Sequence, residues 1–261
     1  MPDHPGLAVV TGAARGIGAA TCLGLAEQGW SLVLVDACGP QPGIEYEMPT
    51  VGDLHGVTER CREAGAGEVE VLCADVASPD FRSLLTRTLA GRAPAAAVAA
   101  AGVIAANTAW GTEEQAWSTL IEVNLHGVRR LAEATVLPMI NAGQGRFVAV
   151  ASAAALRAMP QLAAYSAAKA ATVAYVRAMA ADLAGMGVLA NVVCPGSTRG
   201  TMLATSATYY DLRSQDEFAG QQLTRRLLEP SEVAAAIVWL CGPGASALTG
   251  AVLPVDGGLT S

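Results

Sequence analysis

Short apolar runs alternate with longer stretches of helical spacing along the whole chain. The runs Leu7–Thr11, Ser31–Val35, Val69–Cys73, Ala95–Ala99, Arg146–Ala151, Val188–Cys194 and Ala251–Val255 are dominated by Val, Ala and Leu. Apolar residues on both faces of a short run predict strands buried from both sides, as in parallel sheets. Between them the pattern predicts helices: Ala19–Gln28, ended by Gly29; Leu54–Ala64; and residues 80–90, opened by Ser78-Pro79. Thr112-Glu-Glu-Gln115 matches a capping box and predicts a long helix that carries Asn124 and ends near Pro138. Two more helices are expected over Leu162–Met186, before Gly187, and Glu232–Cys241, after Pro230.

Strands that alternate with helices to the end of the chain predict an α/β fold. The expected form is a Rossmann-type, doubly wound parallel sheet in three α/β/α layers, a single domain over residues 1–261. Two segments break the alternation. Residues 38–53 form a Pro- and Gly-rich insertion that carries Ile44, Tyr46 and Met48, and residues 197–226 read as irregular, a substrate lid. A long loop inside a compact α/β unit is uncommon and often functional.

Composition narrows the function. Hydrophobic residues make up 52% and aromatics only 5%, which suits close helix-on-sheet packing of small side chains. A net charge of −7 without a basic stripe argues against nucleic acid and anionic membranes. The apolar run Ala93–Ala106 is too short for a bilayer and is broken by Pro94 and Gly102. Six scattered cysteines with no C-x-x-C spacing read as reduced thiols of a cytoplasmic protein, and three histidines without H-E-x-x-H spacing leave no expected metal site. Met-Pro-Asp-His-Pro-Gly has no basic or long apolar stretch, so no leader is expected there.

Chemistry gathers at the predicted carboxyl ends of strands, where such sheets bind ligands. Thr11-Gly-Ala-Ala-Arg-Gly-Ile-Gly18 joins the first strand to the first helix. Gly12, Gly16 and Gly18 would let the backbone approach a pyrophosphate, with Arg15 and Ile17 between them, over a helix N-terminus that favours anions. Asp36 lies 18 residues past Gly18, near the distance at which an acid accepts hydrogen bonds from the adenosine ribose. A carboxylate there disfavours a 2′-phosphate: like charges at ~4 Å and an effective dielectric of ~20 cost about 4 kcal/mol. Arg15 pulls the other way, and Asp36 is expected to dominate. Tyr165 and Lys169, four residues apart, stack on one helix face, where an ammonium would favour the phenolate.

Thr11-Gly12-x-x-x-Gly16-x-Gly18, Asp75, Asn124, Ser152, Tyr165-x-x-x-Lys169 and Pro195-Gly196, with thirteen residues from Ser152 to Tyr165, together resemble the short-chain dehydrogenase/reductase family over the whole chain. The resemblance implies NAD(H)-dependent hydride transfer between a secondary alcohol and a ketone. Tyr165 would be the general base or acid. Lys169 would hold the nicotinamide ribose and lower the pKa of Tyr165, Ser152 would bind the substrate oxygen, and Asn124 would support the geometry and a water leading to Lys169. Asp75 and Val76 would edge the adenine; Ala100, Gly102, Pro195, Gly196 and Thr198 would line the ribose and nicotinamide, with Thr198 favoured over Thr201 for the carboxamide. The family's usual Asn-Asn-Ala-Gly reads Ala99-Ala-Ala-Gly102, so backbone atoms are expected to bind there. Met159, Leu162, Met202, Leu203, Tyr209 and Tyr210 are candidate substrate contacts. A homotetramer is the family's habit.

The insertion after Asp36, the run Ala99–Ile104 and Met202-Leu-Ala-Thr resemble the mycofactocin-coupled branch of that family, found in actinobacteria. That resemblance implies a tightly held NAD recycled in place by a peptide-derived redox carrier. Two other readings are an NADPH-dependent carbonyl reductase, with Arg15 reading the phosphate, and a non-catalytic dinucleotide sensor. The second has no use for a base.

Overall fold

Seven short strands lie parallel in one sheet, in the order β3-β2-β1-β4-β5-β6-β7. They are β1 (Leu7–Thr11), β2 (Ser31–Asp36), β3 (Val69–Cys73), β4 (Ala96–Ala99), β5 (Gly145–Val150), β6 (Val188–Pro195) and β7 (Val252–Val255). This computed structural model describes residues 6–261; residues 1–5, on which most of the leader reading rests, lie outside them. The order in which successive strands are added to the sheet reverses between β1 and β4, and their carboxyl ends open the crevice where such sheets take ligands.

The inner strands are buried on both faces because both are covered; the edge strands β3 and β7 are partly buried. Ala8, Val10, Leu32 and Leu34 pack with α1 (Gly16–Ala26), α2 (Val51–Glu63) and α8 (Pro230–Cys241). Val9, Val33 and Val35 alternate with them and pack under α3 (Phe81–Leu89), α4 (Glu114–Ile121), α5 (Gly127–Asn141) and α6 (Ala163–Asp182). Small residues let helices come close: a Cβ on Gly24 of α1 would lie 3.1 Å from Val238 of α8.

Several local expectations change. The Thr112–Gln115 capping box is absent; Glu113 is the N-cap, without a side-chain cap, and the Thr112 hydroxyl donates to Thr108 O at 3.2 Å in the preceding turn. The insertion ends earlier than expected, because Thr50 and Asp53 form a capping box that starts α2 at Val51. Pro138 lies inside α5; it cannot donate, yet its carbonyl accepts from Ala142 N at 3.0 Å and the helix runs on to Asn141. A π turn, Glu122–His126, joins α4 to α5. Residues 197–226 are not irregular throughout: they contain α7 (Thr201–Tyr209) and a 3₁₀ segment, Gln215–Gln221. The helix bearing Tyr165 ends at Asp182, short of Met186.

Candidate active site

The glycine loop is shaped for close backbone approach. Gly12 has φ 71°, and a Cβ there would strike the Ala101 backbone at 2.7 Å. One on Gly18 would meet Gly12 O at 2.0 Å, so this glycine lets α1 pack on the loop. Gly16 differs: its φ is 57° and nothing lies within 4 Å of its missing Cβ. That open cradle faces the amino end of α1, whose N-cap Arg15 supplies no side-chain cap to the helix amides. Asp36 braces the loop, its Oδ2 accepting from Ala14 N at 3.0 Å and its Oδ1 from Cys38 N at 3.2 Å.

Residues 37–50 form a strap over this end. Gln41, buried, donates to the Asp75 carboxylate at 3.0 Å. Thr119 of α4 donates to Pro42 O at 2.7 Å, and Gly43 lies so close to α4 that a Cβ would meet Ala116 N at 2.8 Å. Ile104 N donates to the Tyr46 hydroxyl at 3.2 Å. Arg15 reaches up to the strap, donating to Glu47 O at 2.7 Å with its guanidinium carbon 5.6 Å from the Tyr46 ring centre. The cation that the rival reading gives to a 2′-phosphate is thus engaged by the strap.

At the other end, Ser152 follows β5 and Tyr165 and Lys169 sit in the first turns of α6. Tyr165 and Lys169 are 6% and 3% exposed, so the protein surface does not hydrate them. Lys169 Nζ donates to Val150 O at 2.9 Å, and an ammonium has two further donors to offer. Burial pushes Tyr165 up to about 12, against the pull of a hydrogen bond with Ser152; burial pulls Lys169 down to about 8. The expected lowering of Tyr165 by Lys169 is not found. The ammonium lies 5.9 Å from the ring centre, is tied to Val150 O and is itself disfavoured by burial.

Asn124 stands behind the site, fully buried in the π turn. Its Nδ2 donates to Val103 O at 2.9 Å and to Leu120 O at 3.0 Å, and its Oδ1 accepts from Val103 N at 3.2 Å. Its carbonyl accepts from Thr172 Oγ1 at 2.8 Å. The side chain therefore fixes the segment after Gly102. A Cβ on Gly102 would lie 3.0 Å from Asn124 Oδ1 and 3.3 Å from Lys169 Nζ.

One cavity of about 800 Å³ joins both ends. Gly12, Arg15, Gly16, Ile17, Gly18, Asp36, Asp75, Val76, Ala100, Gly102, Ser152, Tyr165, Lys169, Pro195, Gly196 and Thr198 all line it. Met159, Leu162 and Met202 line its far end; Tyr209 does not. Tyr209 packs on the core beside the sheet, and its neighbour Tyr210 lines the cavity, donating to Pro160 O at 2.6 Å. Thr198 and Thr201 both reach the cavity, and the Thr198 hydroxyl donates to Gly196 O at 3.1 Å. Gln41, Ile104, Ser206 and Phe218 were not anticipated. Only a polar side chain amid the insertion's Pro and Gly residues could have singled out Gln41. Among the described residues no His/Cys/Asp/Glu cluster could hold a metal, all six cysteines are free, and no helix is long and apolar enough to cross a membrane.

Comparison with known proteins agrees with this geometry. A family model described as enoyl-(acyl carrier protein) reductase matches residues 12–260. A Mycobacterium tuberculosis protein described as an uncharacterized NAD-dependent oxidoreductase is 34% identical over 98% of this chain and 96% of its own. Galactitol 2-dehydrogenase (L-tagatose-forming) of Cereibacter sphaeroides is 32% identical, over 97% of this chain and 94% of its own. The fold is shared with a carveol dehydrogenase from Mycobacterium avium crystallised with NAD, at a TM-score of 0.92 and 24% identity, over 98% of both chains. With its sheet order, glycine loop and Ser152–Tyr165–Lys169 group, the chain belongs to the short-chain dehydrogenase/reductase family.

Proposed function

We propose that the protein oxidises a secondary alcohol to a ketone, or the reverse, with NAD(H), and that the NAD stays bound while an external redox carrier of the mycofactocin type recycles it. The observation that carries the hydride-transfer reading is one cavity with Asp36 and the Gly16 cradle at one end and Ser152, Tyr165 and Lys169 at the other; the retention of NAD rests on the strap fastened over the adenosine end. NAD fits these residues. The pyrophosphate would lie on Gly16 and the uncapped amides of α1, the adenosine ribose at Asp36, the adenine between Asp75 and Val76, and the nicotinamide near Pro195, Gly196 and Thr198. NADP fits less well, because Asp36 repels a 2′-phosphate and Arg15 is engaged by the strap. The relatives' printed descriptions, an NAD-dependent oxidoreductase and a galactitol dehydrogenase, support the same reading.

NAD supplies the hydride acceptor when bound. The chain's own groups do the rest. Ser152 holds the substrate oxygen beside the Tyr165 hydroxyl. Tyr165 takes the proton as the carbon–oxygen bond becomes a carbonyl. Lys169, anchored to Val150 O, keeps a positive charge near the phenolate and donors for ribose hydroxyls. Met159, Leu162 and Met202 exclude water and suit an apolar alcohol of small to medium size. A homotetramer in the cytoplasm belongs to the same reading.

The pH dependence follows from the two shifted groups. The working form needs Tyr165 deprotonated and Lys169 protonated. With Tyr165 at about 12 and Lys169 at about 8, the working fraction rises about tenfold per pH unit up to pH 8, and loss of the Lys169 charge then cancels the gain. Hence kcat/KM for alcohol oxidation should climb to about pH 8 and level off. A flat profile from about pH 6 to 8 would contradict this assignment of the base.

Gly16→Val should abolish cofactor binding, since a branched side chain would fill the cradle at an unfavourable φ. NADH fluorescence titration should show at least about a hundredfold loss, roughly 2.7 kcal/mol. The reading as a whole is tested by mass spectrometry of small molecules released on denaturation. NAD(H) is expected; NADP(H) would favour the carbonyl reductase instead.

A further inference from the structure

Arg130 has no part in the chemistry above, yet its guanidinium is placed with care. It lies on α5 with a side chain 12% exposed. Nη1 donates to Val76 O at 3.1 Å, and Nη2 to Glu122 Oε2 at 2.7 Å. Its neighbour Arg129 makes only a surface pair with Glu133 one turn on, of the kind that contributes little. Arg130 is different: a rigid planar fork reads a main-chain carbonyl from one segment and a carboxylate from another.

Both contacts lie against the cavity's working parts. Val76 lines it beside Asp75, where the adenine edge is expected. It is also packed tightly on the start of α5, where a Cβ on Gly127 would strike Val76 Cγ2 at 2.7 Å. Glu122 is the first residue of the π turn whose third residue is Asn124. A π turn is an extra residue wound into a helix and has an α-helical alternative; such turns persist where something holds them. Relaxation would move Asn124 away from the Val103 amide and carbonyl that it grips.

We infer that Arg130 is a positioning residue that braces the adenine edge of the cofactor site and the π turn carrying Asn124 as one unit. It touches neither cofactor nor substrate. It acts through Val76 at one end and through Glu122, Asn124 and Val103 at the other.

The test compares Arg130→Met, Arg130→Lys and Glu122→Gln in the full chain, by NADH dissociation rate and by amide hydrogen exchange at Val103, whose N–H donates to Asn124 Oδ1. Arg130→Met should raise both about tenfold. Glu122→Gln should speed Val103 exchange while NADH dissociation stays within about twofold, because the Val76 contact survives. Arg130→Lys should recover most of the NADH rate, since an ammonium can still reach one carbonyl. Wild-type values for both readouts in folded Arg130→Met overturn the inference. So does an exchange increase spread evenly over the sheet, which marks general destabilisation. If Arg130→Met does not fold, Glu122→Gln decides: unchanged Val103 exchange overturns the brace. The dissociation arm rests on the dinucleotide reading of the cavity and the exchange arm does not, so failure of one reading is distinguishable from failure of the other.

Discussion

Tyr165→Phe lowers kcat for alcohol oxidation by about 10²–10⁴, the range expected on losing a positioned general base. The ring stays, so packing around a residue only 6% exposed is kept. What is lost is the one phenol that both lines the cavity beside Ser152 and lies a helical turn from Lys169. Ser152 remains beside the substrate hydroxyl but is no base near neutral pH, so nothing is positioned to take the proton. NADH affinity should change by less than about threefold, because Lys169, Asp36 and the glycine loop remain. Single-turnover kinetics and NADH titration on the same preparation check both halves. Turnover within about twofold of wild type would remove Tyr165 from the mechanism.

Unfastening the strap has the second large effect. Gln41→Ala with Tyr46→Ala removes a hydrogen bond to a carboxylate, contributing about 1.5–3 kcal/mol, and the acceptor for Ile104 N, about 0.5–1.5 kcal/mol. It also removes the ring under Arg15, about 0.5–1 kcal/mol. Even the low end of the combined loss, about 2.5 kcal/mol, corresponds to roughly a hundredfold faster NADH dissociation. Stopped-flow fluorescence measures it directly. A double variant that keeps its NAD as the wild type does would show that the strap does not retain it.

The five inner strands were legible because each is a short apolar run buried on both faces, as a parallel sheet requires; the edge strands β3 and β7 are only partly buried and were legible from their apolar runs and their place in the alternation. Ser152, Tyr165 and Lys169 were legible because one strand end and one helix turn place them together once the topology is known. The helix α7 was missed for the converse reason. Met202, Leu203 and Ser206 line the cavity, and the helix divides its apolar side chains between that cavity and two separate core clusters, so the segment shows no single apolar stripe. The π turn leaves no periodic mark, since one extra residue only shifts the phase of a helix. Arg15 was weighed as a phosphate reader because chain order does not reveal that Glu47 O and the Tyr46 ring lie above it. Tyr209 and Tyr210 are adjacent in sequence, and which of them faces the cavity is settled by how α7 ends, with Tyr210 as its C-cap.

On the proposed mechanism, an NAD retained in this cavity accepts the hydride of the alcohol. The most direct measurement is absorbance at the reduced-nicotinamide band when purified, gel-filtered protein meets a panel of secondary alcohols without added cofactor. The expected result is a burst of one NADH per chain that stops, and resumes only when an electron acceptor is supplied. No burst with any alcohol, together with continuous turnover that depends on added NAD or NADP, would contradict it.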